Sequence, residues 1–157
     1  INVKKISLNN LFALTYFSWE NGGLTSVTIP ENNKLKTFLI RKNDITNLDF
    51  SALKKVHCLY IDENKISGTL DLSVMPRLND FSCDNNQISK LIAINHDYIE
   101  SVKCTNNQLL LIDFRNSSGR PGHLDCRQNP NAEIYAYIDE DYYFWDSTAK
   151  VHDLSTL

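Results

Sequence analysis

One pattern recurs along this chain every 21 or 22 residues, and it limits the fold more than any other feature of the sequence. Apolar residues stand at offsets 0, +3 and +5, an Asn at +8, and apolar residues again at +10, +13 and +15. Four copies carry it in full. The first is Leu35, Phe38, Ile40, Asn43, Ile45, Leu48 and Phe50. The second is Val56, Leu59, Ile61, Asn64 and Ile66, with Leu70 and Leu72 following one inserted residue. The third is Leu78, Phe81, Cys83, Asn86, Ile88, Leu91 and Ala93, and the fourth Ile99, Val102, Cys104, Asn107, Leu109, Ile112 and Phe114. Degenerate copies flank them. Leu14, Phe17, Trp19, Gly22, Leu24, Val27 and Ile29 come before; Leu124, Cys126, Asn129, Ile134 and Ala136 come after, with Pro121 and Asn131 in slots that are apolar elsewhere. A half copy, Val3, Ile6 and Leu8, precedes them all.

A period of this length means a solenoid, because one copy cannot bury its own apolar stripe and a stack of copies can. Alternation around the +3 and +5 positions predicts a short strand with one buried face. At the sharp turn that follows, backbone N–H and C=O groups lose their partners. A buried side-chain amide can both donate and accept, so Asn43, Asn64, Asn86, Asn107 and Asn129 are expected to stack as a structural ladder. The Leu48–Phe50, Leu70–Leu72 and Ile112–Phe114 segments are expected to be short extended pieces on the far side. The repeat assigns 1–136 to the solenoid, about six repeats plus the half repeat. The non-repetitive remainder, 137–157, reads as a C-terminal cap, drawing on the aromatic run Tyr135, Tyr137, Tyr142, Tyr143, Phe144 and Trp145. The half copy and the initial Ile1 suggest further coils or a cap upstream.

The 157 residues, 42% of them apolar, suffice for one domain with a real core. Gly (5) and Pro (4) are scarce, so Asn is expected to make the tight turns. The net charge of −3 argues against a nucleic-acid partner, which calls for clustered Lys and Arg. The charge is uneven: residues 1–60 hold eight Lys/Arg against four Asp/Glu, and 61–157 hold eight against fifteen. No apolar run is long enough for a transmembrane segment, and no signal peptide is visible.

The repeats LNDFSCDNNQISKL (78–91) and IESVKCTNNQLLLIDF (99–114) resemble the leucine-rich-repeat superfamily, most of all the short 21–22-residue type of bacterial surface proteins. They resemble repeats of Bacteroidetes and are similar to internalins. The resemblance covers about residues 3–136. It implies a leucine-rich-repeat solenoid with a parallel β-sheet on the concave face, short extended segments on the convex side and little α-helix. It also implies a protein ligand and an extracellular or cell-surface location.

Candidate chemistry is sparse. Cys83, Cys104 and Cys126 share one inward slot and are expected to be buried free thiols. Cys58 falls on an outward position and is expected to react readily. His96 takes a filler slot and is expected to be partly exposed. His123 and Cys126 point to opposite faces and do not make a metal pair. Asp139, Glu140, Asp141 and Asp146 lack the spacing of a calcium loop. Asn116-Ser117-Ser118 matches a glycosylation sequon. No nucleophile motif, phosphate loop or metal-ligand spacing occurs, so the chain is read as a non-enzyme without metal or cofactor.

The outward strand positions carry the functional expectation. Tyr16, Leu39 and Tyr60 form an apolar spot, with Arg41 beside it. Asp62, Asp80 and Asp84 form an acidic spot, and Lys103, His123 and Arg127 complete the candidate binding set. A basic partner loop with an apolar anchor suits such a surface, since exposed Tyr and Arg are favoured at interface centres. Alternative roles are a carbohydrate-binding module using the C-terminal aromatics, Trp145 among them, and a structural spacer of a larger surface protein.

Overall fold

In the computed structural model, which describes residues 3–31, 34–117, 121–138 and 141–156, the chain winds as a parallel β-solenoid of stacked coils. Its strands are β1 (Lys5–Ser7), β2 (Tyr16–Ser18), β3 (Ser26–Thr28), β4 (Thr37–Leu39), β5 (Cys58–Tyr60), β6 (Ser67–Asp71) and β7 (Asp80–Ser82). They continue with β8 (Gln87–Ile92), β9 (Ser101–Lys103), β10 (Leu111–Asp113), β11 (His123–Asp125), β12 (Glu133–Ala136), β13 (Tyr143–Phe144) and β14 (Lys150–Asp153). One seven-stranded sheet runs β2-β4-β5-β7-β9-β11-β13. A second, five-stranded sheet runs β6-β8-β10-β12-β14, and β1 pairs with β3. Every pairing is parallel, as a chain that returns to the same sheet once per lap requires. Among the described residues helix is confined to two 3-10 turns, Phe50–Leu53 and Leu72–Val74.

The register is the repeat made physical. Phe17 pairs with Phe38, Phe38 with Leu59, Leu59 with Phe81, Phe81 with Val102, and Val102 with Leu124. These residues share the +3 slot, and from Phe38 to Leu124 they are fully buried. The +5 slot (Ile40, Ile61, Cys83, Cys104, Cys126) is buried as well, so the core is one continuous column between the two sheets. All four cysteines are free thiols. In the first coil Phe17, Trp19 and Val27 are only partly buried.

The Asn ladder forms as expected. Asn86 Oδ1 accepts from Ile66 N at 3.0 Å, while its Nδ2 donates to Ile61 O at 3.0 Å and Cys83 O at 3.1 Å. Asn64, Asn107 and Asn129 repeat this arrangement one coil apart, through Ile45 N, Ile88 N and Leu109 N. Asn43 serves Gly22 N and Leu24 N. Each amide therefore ties its own turn to the preceding coil. The residue just before each ladder Asn takes positive φ: Lys42, Glu63, Asn85, Asn106 and Gln128. Asn is common at such positions because its short polar side chain tolerates the left-handed region. In the first coil Gly22 replaces the ladder Asn, and a Cβ there would collide with the Trp19 indole nitrogen.

The far side is more regular than short extended segments. Ile112 pairs with Leu91 and with Ile134, making a true sheet. In the second coil Leu48–Phe50 leads instead into a 3-10 turn, where the Asp49 carboxylate accepts from Ser51 N at 3.0 Å. Asp71 caps the other 3-10 turn in the same way, accepting from Ser73 N at 2.9 Å. The inserted residue of the second full copy is taken up at Gly68, where φ is 82° and the register against β8 shifts. The segment expected as a cap supplies β13 and β14, which extend both sheets by one more rung. His96 differs from its expectation: it is buried, with Nε2 donating to Met75 O at 3.0 Å. Of the acidic C-terminal group, Asp139 and Glu140 lie outside the described residues, as does Ser118 of the sequon.

Candidate binding face on the seven-stranded sheet

Alternation fixes which side chains leave the core. With Phe38, Leu59, Phe81, Val102 and Leu124 inward, the residues flanking them face out, and the parallel register sets them in three columns. The first holds Tyr16, Thr37, Cys58, Asp80, Ser101 and His123. The second holds Ser18, Leu39, Tyr60, Ser82, Lys103 and Asp125. The third holds Glu20, Arg41, Asp62, Asp84, Thr105 and Arg127.

Seven of the ten expected residues converge on one groove of about 650 Å3: Leu39, Arg41, Tyr60, Asp62, Asp80, Asp84 and Lys103. Tyr16, 57% exposed, and His123 do not line it. Arg127 borders a separate recess of about 360 Å3 with Thr105, Gln128 and Asp146. Sequence reasoning missed Lys42, Glu63 and Asn85 at the groove's rim. Their signal was present: each precedes a ladder Asn, at the turn where the left-handed backbone swings the side chain outward.

Within the groove the acidic spot divides. Asp62 is buried, its charge matched by Arg41 Nε at 2.8 Å. It also accepts from the Ser82 hydroxyl and from Asp84 N at 3.0 Å. Arg41 lies over the Tyr60 ring at 4.5 Å, and the Tyr60 hydroxyl donates to Asp80. Burial and then the Asp80 carboxylate push the Tyr60 hydroxyl above its ordinary range, so it stays a neutral donor. Asp84 accepts from Thr105 N at 2.6 Å; burial, followed by the like charges of Asp62 and Asp125, raises its carboxyl. Among the described residues neither Asp80 nor Asp84 has a cation at ion-pair distance. The groove thus has a clamped interior, an apolar wall of Leu39 and Tyr60, and two carboxylates without a counterion.

Cys58 is half-buried rather than open. Burial and the neighbouring Asp80 raise its thiol, which disfavours the reactive thiolate despite the outward position. The C-terminal aromatics do not assemble into one platform. Tyr143 is buried, Tyr142 and Phe144 are exposed, and Tyr135 belongs to the other sheet, stacked on His152 at 4.3 Å. Among the described residues no group of three or more His, Cys, Asp or Glu is placed to hold a metal ion, and no helix is long and apolar enough to cross a membrane. No family model matches the chain, and no curated relative does.

Proposed function

We propose that this chain is a leucine-rich-repeat solenoid of the short bacterial surface type, acting outside the cell or at its surface, which recognises another protein without catalysing a reaction. The observation that carries this reading is the groove. Rigid neighbouring rungs hold Leu39 and Tyr60 beside the unmatched carboxylates Asp80 and Asp84. Packing and hydrogen bonds already order the aromatic anchor, so little side-chain entropy is lost when a partner docks. A loop with an apolar side chain next to a Lys or Arg complements the groove in shape and charge.

The test is quantitative capture with the purified domain, followed by affinity measurement on each captured protein. Tyr60→Ala is expected to weaken binding about 30-fold, the usual cost of a central anchor. Asp84→Asn is expected to lower the on-rate and flatten its salt dependence. If both variants hold every partner at parental affinity, this face is not the binding surface.

A further inference from the structure

Four of the eight cations in the first sixty residues, together with Arg77, share one place in the fold. Lys34, Lys36, Lys54, Lys55 and Arg77 all lie in the segments that lead into β4, β5 and β7, and all are exposed. Lys34, Lys55 and Arg77 precede the equivalent apolar residues Leu35, Val56 and Leu78, so the register stacks them in one column. Lys36 and His57 begin the adjacent column: His57 N donates to Lys36 O at 2.7 Å, and Asn79 N to His57 O at 2.8 Å. Stacked rungs stand about 4.8 Å apart, so these cations repel one another along the edge. Arg41–Asp62 and Lys65–Asp44 are matched from rung to rung, whereas among the described residues Lys34, Lys36, Lys54 and Arg77 take part in none of the ion pairs. The acidic residues of these connecting segments are Glu31 and, on the next coil, Asp97 and Glu100.

Beside the cations lies a recess of about 630 Å3 lined by His57, Cys58, Arg77, Asn79 and Tyr98. Tyr98 is 66% exposed, the most exposed of the large apolar side chains among the described residues. Asn79 Nδ2 donates to Tyr98 O at 3.2 Å, which fixes the amide beside the ring.

We propose that this edge, opposite in sign to the groove, is a second binding site, for an acidic glycan chain. A flat ring and a fixed amide suit the apolar face and hydroxyls of one sugar, and the cation columns suit the carboxylates or sulfates of its neighbours. A nucleic acid fits less well. It needs an aromatic platform for each successive base and a broad positive field, whereas this edge offers one ring on a chain of net charge −3.

Fluorescence anisotropy with labelled probes tests the proposal: a heparin-derived hexasaccharide, a hyaluronan octasaccharide, neutral dextran and single-stranded oligo-dT. At least one acidic glycan is expected to bind, dextran is not, and oligo-dT is expected to bind more weakly than the better glycan. Lys34→Gln with Lys36→Gln and Arg77→Gln should weaken glycan binding at least tenfold and reduce its salt dependence. Tyr98→Ala should weaken it several-fold, and Lys90→Gln, away from this edge, should leave it unchanged. Circular dichroism establishes that each variant is folded. Equal glycan affinity in the triple variant and the parent, tighter binding of oligo-dT, or no binding of either acidic glycan at low salt would each overturn the proposal.

Discussion

Replacing Asn86 by Ala isolates what the ladder contributes. The amide makes four hydrogen bonds, but they are not of equal consequence. Ile61 O also accepts from Asn64 Nδ2, Cys83 O from Asn107 Nδ2, and Asp84 O from Glu63 N. The carbonyls therefore keep a partner when Asn86 is truncated. Ile66 N does not: Asn86 Oδ1 is its acceptor, and Ile66 is buried. One stranded buried N–H costs about 1–3 kcal/mol, and the lost amide volume adds to it, so a total of about 2–4 kcal/mol is expected. For a chain of this size that lowers Tm by roughly 5–15 °C. Urea unfolding followed by circular dichroism measures the loss, and amide exchange at Ile66 locates it. Asn86→Asp sharpens the test. It keeps an acceptor for Ile66 N but sets a buried carboxylate against three carbonyls, raising that group's folded-state pKa. Its deficit should be smallest below the unfolded carboxyl value of about 3.9 and grow as pH rises through the folded value. A loss under about 0.5 kcal/mol for Asn86→Ala, or an Asn86→Asp variant as stable as the parent at pH 7, would refute the accounting.

Burial depresses the imidazole of His96, and its Nδ1 has no hydrogen-bond partner among the described residues. Its contribution is complete above the unfolded value of 6.5 and is lost as pH falls through the depressed folded value, so stability should drop on the acid side of neutrality. His96→Met, which copies the equivalent Met75 one coil earlier, should flatten that slope between pH 7 and 5 in thermal melts; an unchanged slope would clear His96 of the effect. Thiol titration of the native chain should find Cys58 at least tenfold slower than in denaturant, and equal rates would mean it is more open than described. Gly68→Ala meets no steric contact but keeps a φ of 82°, so a loss of about 1–2 kcal/mol is expected, read from the urea midpoint.

The parts of this fold that follow the period could be read from the sequence. Slots that recur every 21 or 22 residues name the core, the ladder and the outward columns directly, because register in a parallel solenoid is sequence spacing. The last coil was hidden for the same reason. Leu124 pairs with Tyr143, nineteen residues on, and Ile134 with Val151, seventeen on, so a fixed period passes over them. The second sheet was underestimated because its strands have one consistently apolar slot, +13, between variable neighbours. In the groove, columns predicted which residues meet but not which remain available. Asp62 looked like a surface acid until Arg41 and Ser82 on adjacent rungs enclosed it. His96 looked like a filler because only packing reveals that Met75 O is within its reach.

Each rung touches only the rung before and the rung after, so mechanical load on this molecule has nowhere to spread sideways. Pulled along its stacking direction, the chain should yield by peeling, one lap of about 21 residues per event, rather than by collapsing at once. Loss of one outer lap would leave the groove, which spans the middle laps, in working order.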